Sequence, residues 1–119
     1  MRSVYVSGEV RSIPDALWDG LHGPKPFYTE RFVCNGCTLS PDNLFGKDTW
    51  PACVVHDYQY SRHSTIDRAE ADATFRRNME WCLWAQGVLR PIAWVVAVFY
   101  WRAVRRGGGP HYQGLGDPN

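Results

Sequence analysis

Cys53, His56, Asp57 and Tyr60 stand at i, i+3, i+4 and i+7 in the run Thr49-Trp50-Pro51-Ala52-Cys53-Val54-Val55-His56-Asp57-Tyr58-Gln59-Tyr60. A helix would carry all four on one face. Neutral imidazole can take a proton from water near neutral pH, so His56 is the residue of this set suited to general-base chemistry. Asp72 belongs with it. Asp72, Phe75, Met79, Cys82 and Leu83 recur at helical spacing, and Asp72 is the one carboxylate on an otherwise apolar stripe. A buried carboxylate is costly unless it is hydrogen-bonded, and the other helix offers an imidazole and a phenol. A His56–Asp72 pair between two antiparallel helices is the simplest account.

The elements that must position these groups can be read around them. Pro51 suits the first turn of a helix, where a missing N–H is harmless, and Asp48 or Thr49 lies close enough to cap it. The polar stretch Ser61-Arg62-His63-Ser64-Thr65-Ile66 has no period and reads as a surface turn, with His63 a solvated loop side chain. Asp67 followed by Glu70 spells a capping box for the second helix, and Arg76, Arg77 and Glu80 mark its exposed face. Gly87 stops that helix and Pro91 is placed to begin a third. From Ile92 to Trp101 about ten apolar residues run without a break, against the roughly twenty that a bilayer span requires. Two placements stay open for this third helix. It is either a core element covering the His–Asp pair, or an interfacial helix with Trp and Tyr at headgroup depth and Arg102, Arg105 and Arg106 near lipid phosphate. Coupling to a larger assembly would also explain its hydrophobicity. Gly107-Gly108-Gly109-Pro110 ends it.

Upstream, Phe32-Val33-Cys34-Asn35-Gly36-Cys37-Thr38-Leu39-Ser40-Pro41-Asp42 bears on metal chemistry. Asn35-Gly36 is a turn pair that can aim successive carbonyls into one space. Calcium takes six to eight oxygens, and the backbone of Asn35, Gly36, Cys37 and Thr38 with the Asp57 carboxylate would begin to supply them. Asp42 is either a spare carboxylate for that site or, more simply, a turn residue before Asn43. The same region supports a zinc alternative, because Cys34-x-x-Cys37 followed by Cys53-x-x-His56 has zinc-ligand spacing. Zinc would consume His56 and leave Asp57, Tyr60 and Asp72 without a shared purpose.

His-Asp-x-x-Tyr at 56–60 and Ala-Asp-x-x-Phe at 71–75 together resemble the catalytic pattern of the phospholipase A2 superfamily, in its small bacterial, phage and parvoviral forms. The resemblance covers roughly residues 34 to 80, with a looser likeness at Tyr100-Trp101-Arg102-Ala103-Val104. It implies a calcium-dependent carboxylic ester hydrolase acting on the sn-2 ester of a glycerophospholipid. His56 would be the base, Asp72 its partner, Tyr60 a support for Asp72, and Asp57 with the 35–38 loop the calcium site. It also implies that Cys37 or Cys34 pairs with Cys53, pinning the loop to the helix. Calcium would polarise the ester carbonyl and stabilise the oxyanion. The Tyr-Gly-x-Gly spelling usual in that family's calcium loop is absent here.

The chain as a whole bounds these readings. Its 119 residues suit one domain with a modest core, and six tryptophans supply large anchors. The expected fold is mostly α, phospholipase A2-like. Residues 1–33 would be an irregular wrapping segment, with a strand or arm at Val4–Val6 and a brief helical turn at Ile13–Trp18. Phe27, Tyr28 and Phe32 would cover the core or form a lipid-contact patch. Residues 34–86 would hold the metal loop and helix pair, 87–106 the apolar helix, and 107–119 a tail. Net charge near +1 gives no general affinity for nucleic acid, although the C-terminal third is locally basic. The partner implied is a phospholipid membrane surface, with a protein or virion partner through the apolar helix as the alternative. Met1–Gly8 lacks the apolar core of a secretory signal. Neither a phosphate-binding glycine loop nor a Gly-x-Ser-x-Gly elbow is present, which argues against nucleotide use and serine hydrolysis.

Overall fold

The computed structural model describes residues 2–6, 9–25, 43–61 and 65–107, and over these the chain is mostly helical. It starts with an antiparallel hairpin, β1 (Arg2–Val6) and β2 (Glu9–Ile13), in which Val4 pairs with Arg11 and Tyr5 with Val10. The strand or arm expected at Val4–Val6 is β1, whereas its pairing with β2 differs from the irregular course expected for this part of residues 1–33. In Glu9-Val10-Arg11-Ser12-Ile13 the two apolar residues are three apart and so fall on opposite faces, Val10 exposed and Ile13 buried, which leaves no apolar/polar alternation to read. Main-chain pairing with β1 makes β2 a strand, and its own side-chain pattern does not. A short helix, α1 (Asp15–Asp19), follows where a helical turn is expected and buries Leu17 and Trp18.

A second, minimal hairpin joins β3 (Asn43–Leu44) to β4 (Lys47–Asp48) through Phe45 and Gly46, at φ 54° and 72°. Positive φ at both turn residues matches the twist of the flanking strands. The usual signal for such a turn is Asn-Gly or Asp-Gly, and a phenylalanine in the first place conceals it.

The remaining elements are α2 (Trp50–Tyr60), α3 (Arg68–Ala85) and α4 (Arg90–Gly107), with α3 packed against both of the others. Pro51 sits in the first turn of α2 as expected. Thr49 is its N-cap residue but makes no side-chain capping bond, so the cap expected from Asp48 or Thr49 is not formed by Thr49. The cap of α3 does form: the Asp67 carboxylate accepts from the Glu70 N–H at 2.8 Å. At the other end of α3, the Val88 N–H bonds the Leu83 carbonyl, the Gly87 N–H bonds the Trp84 carbonyl, and Gly87 stands at φ 106°. That is the left-handed helix stop in which glycine avoids the steric cost of a Cβ.

Phe75, Met79, Cys82 and Leu83 of α3 are all buried, as their spacing predicts, against Val54 and Val55 of α2 and Ile13, Leu17 and Trp18 from the N-terminal elements. The N-terminal segment is fastened by polar side chains of α2 and α3. Asn78 accepts from the His22 N–H at 2.6 Å and donates to the His22 carbonyl at 3.2 Å. The Trp81 indole N–H reaches the Leu17 carbonyl at 2.9 Å, and Gln59 donates to the Pro24 carbonyl at 3.1 Å.

α4 departs from the core reading. The side chains it fully buries are Ala93, Ala97 and Val104, while Ile92, Trp94, Val95 and Phe99 are exposed. Small residues one turn apart let α4 lie close to α3, and the bulky residues are left on the outer side.

Candidate active site

α2 and α3 bring His56 and Asp72 together. The His56 Nε2 lies 2.8 Å from Asp72 Oδ1, with Asp72 fully buried and His56 nearly so. An ionised carboxylate only accepts, so Nε2 carries the proton in this contact and the neutral ring keeps its lone pair on Nδ1. No described group bonds Nδ1, which leaves it as the nitrogen able to meet water. The ring packs against two aromatic rings, at 4.2 Å between centroids from Tyr60 and 4.6 Å from Phe75.

Asp72 is the hub of the cluster. Oδ1 accepts from the Tyr60 hydroxyl at 2.5 Å as well as from His56, and Oδ2 accepts from Arg105 Nη1 of α4 at 2.9 Å. Arg68, one turn before Asp72, places its Nε 3.8 Å from Oδ2 and donates to the Tyr60 hydroxyl at 3.2 Å. Its Nη2 reaches the Val104 and Arg105 carbonyls at 3.1 and 2.7 Å, so the same guanidinium also caps the last turn of α4. Burial alone would push the Asp72 carboxyl up. The bonds from His56 and Tyr60, the charge of a protonated His56 and the Arg105 bond outweigh it and hold the group below its ordinary 3.8. Tyr60 moves the other way, raised by burial first and then by the hydrogen bond to Asp72, and stays a proton donor. The arrangement fixes an imidazole tautomer, supplies a negative charge to stabilise the imidazolium that forms on proton uptake, and leaves one nitrogen to act as base.

His56, Asp72 and Tyr60 are therefore assembled as expected. The sequence reading does not include Arg68 and Arg105 among the site residues. Arg68 was legible as an i, i+4 partner of Asp72, whereas Arg105 lies 33 residues downstream and no local spacing points to it. Asp57 is on α2, half-buried. The other calcium ligands expected, Asn35, Gly36, Cys37 and Thr38, lie outside the described residues, as do Cys34, Asp42, His63, Phe27, Tyr28 and Phe32. One carboxylate falls short of the six to eight oxygens calcium takes, so the described residues do not by themselves make that site. Cys53 is disulfide-bonded. A disulfide sulfur carries no thiolate charge, so a zinc set of Cys34, Cys37, Cys53 and His56 requires the reduced chain. Cys82 is a free thiol, fully buried and pushed up to about 12 by that burial. It is an inert core residue.

Comparison with known proteins corrects the resemblance from which the phospholipase A2 reading started. A protein-family model described as "Protein of unknown function (DUF1353)" matches residues 42–98, and no phospholipase A2 family does. His56-Asp57-x-x-Tyr60 and Ala71-Asp72-x-x-Phe75 are short patterns that any pair of helices holding a buried His–Asp contact can display, and they do not carry the family. No curated protein and no solved structure matches the chain. The chain is thus similar, from β3 to the middle of α4, to a family whose function is not known, and the matched segment contains both members of the His56–Asp72 pair.

Proposed function

We propose that the protein is a hydrolase in which His56 takes a proton from water and the resulting hydroxide equivalent attacks a carboxylic ester, with the sn-2 ester of a glycerophospholipid as the substrate class. The observation that carries the reading is the 2.8 Å contact of His56 Nε2 with a fully buried, ionised Asp72, while Nδ1 is left without a described partner. In the reaction Nδ1 accepts the water proton, Nε2 keeps its bond to Asp72, and the carboxylate balances the imidazolium charge until the proton passes to the departing alcohol. Tyr60, Arg105 and Arg68 are positioning residues. They hold the carboxylate that holds the ring. Arg68 and Arg105 also bring two positive charges to a single carboxylate, which favours a substrate bearing an anionic group. Calcium enters as a variable of the assay.

The test is fatty-acid release from mixed anionic and zwitterionic liposomes, with millimolar-scale calcium and again with a calcium-selective chelator, for the wild type and for His56→Gln. A glutamine amide can keep the hydrogen bond to Asp72 but has no lone pair on nitrogen to take a proton. Release by the wild type and not by the variant is expected. Equal release by both, or none under either condition, overturns the reading and leaves the polar cluster as a staple joining three helices.

A further inference from the structure

The outer face of α4 is ordered along its length. Ile92, Val95 and Phe99 are exposed by 45, 60 and 65%, and Arg102 and Arg106 continue the same stripe toward the C-terminus. Successive spacings of three or four residues keep all five on one side. Trp84 of α3 and Leu89, just before α4, are exposed as well. No Asp or Glu occurs between residues 90 and 107. Arg90 is occupied by Glu80 at 3.3 Å, whereas Arg102 and Arg106 form no ion pair among the described residues. Phe99, Arg102, Ala103 and Arg106 line a hollow of about 250 Å³ whose wall is mostly apolar.

We infer that this face of α4 docks on an anionic lipid surface, with Ile92, Val95 and Phe99 entering the acyl boundary and Arg102 and Arg106 engaging lipid phosphate. Charge complementarity selects the occupant. A second copy of this chain would set Arg102 and Arg106 against a face that carries no acid, and an uncharged apolar partner would leave both guanidinium groups unanswered. An anionic bilayer offers an apolar interior and a negative headgroup layer in the order that the stripe presents them. No helix among the described residues is long and apolar enough to cross a membrane, so the contact is interfacial. The docked stripe and the candidate active site share one helix, because Arg105 contacts Asp72 only six residues, or about 9 Å of helix rise, beyond Phe99. The inference deepens the proposed reaction, on whose lipid substrate it rests, by naming how the chain meets that substrate. Its test reads binding apart from turnover.

Flotation of the full chain with vesicles of ether-linked lipids, which cannot be hydrolysed at the ester, compares phosphatidylcholine alone with phosphatidylcholine containing phosphatidylglycerol. Binding to the anionic vesicles is expected, weakened about thirtyfold in Arg102→Gln/Arg106→Gln and about tenfold in Phe99→Ser. Both variants should hydrolyse a dispersed short-chain phospholipid at the wild-type rate, and His56→Gln should still float. Absence of binding to anionic vesicles, equal binding to both vesicle types, or binding unmoved by the substitutions overturns the inference. So does a concentration-dependent dimer in sedimentation that Phe99→Ser abolishes, since a second copy then covers the face. Flotation without any turnover removes the hydrolase and keeps the docking face; turnover on the dispersed lipid without flotation does the reverse.

Discussion

The two ends of α4 invert the ordinary distribution of polarity. At its C-terminal end Arg105 reaches inward to a carboxylate with no solvent exposure, and around that carboxylate stand an imidazole, a phenol and a second guanidinium. At its N-terminal half Ile92, Val95 and Phe99 face outward, and the core contacts come from Ala93 and Ala97. In the first arrangement every charge has a partner within the fold, as a buried carboxylate requires. The second exposes apolar surface that nothing described covers. Buried charge that is fully answered is an arrangement specified inside the molecule. Exposed hydrophobicity that runs on into Arg102 and Arg106, which have no ion pair among the described residues, points outside it.

The comparison can be broken at either end, and the largest effect should come from the inner one. His56→Gln should lower turnover by about 10²–10⁴-fold while leaving the urea midpoint close to wild type, measured by fatty-acid release and by circular dichroism. A loss of turnover accompanied by unfolding would return His56 to a purely structural role. Asp72→Ala should cost about 3–5 kcal/mol in urea unfolding, because Arg68 and Arg105 are left beside an apolar gap. An unchanged midpoint would mean that the cluster contributes no net stability.

Acid should act on the same group. The folded Asp72 carboxyl lies below its ordinary 3.8, so its contribution to stability is present above that value and is lost as pH falls through the lower folded value. Unfolding free energy followed downward from pH 5 should therefore decline below about pH 4 in the wild type and decline less steeply in Asp72→Asn. Tyr60→Phe removes one of several hydrogen bonds to the carboxylate and should cost about 1–2 kcal/mol. The smallest effect belongs to the outer face, where Phe99→Ser should change unfolding free energy by no more than about 0.5 kcal/mol. A large loss there would show that Phe99 is supported from within the fold and would remove the basis for a docking surface.

Legibility in the sequence followed the range of the interactions. α2 and α3, the Asp67 cap, the Gly87 stop and the buried stripe of Phe75, Met79, Cys82 and Leu83 all depend on residues one or two turns apart, and their spacing is visible in one dimension. The His56–Asp72 contact was legible for a related reason: a lone carboxylate on an apolar stripe demands a partner, and the preceding helix offered an imidazole. β2 and the Phe45-Gly46 hairpin were not, since the first is a strand by virtue of β1 and the second uses a residue that rarely takes that turn position. Asn78 and Trp81 gave no sign of their bonds to His22 and Leu17, 56 and 64 residues away. The short pattern around His56 was over-read, because it reports a contact between helices and not a lineage.

The sequence by itself determined the helices, their starts and stops, and the pairing of an imidazole with a buried carboxylate, because helical periodicity and the cost of an unpaired buried charge act through near neighbours or through simple necessity. Only the tertiary structure decided that Arg105 completes the Asp72 cluster and that α4 turns its alanines to the core and its larger apolar side chains to solvent. Both outcomes depend on how closely α3 and α4 approach, and that distance is set by packing across the whole fold.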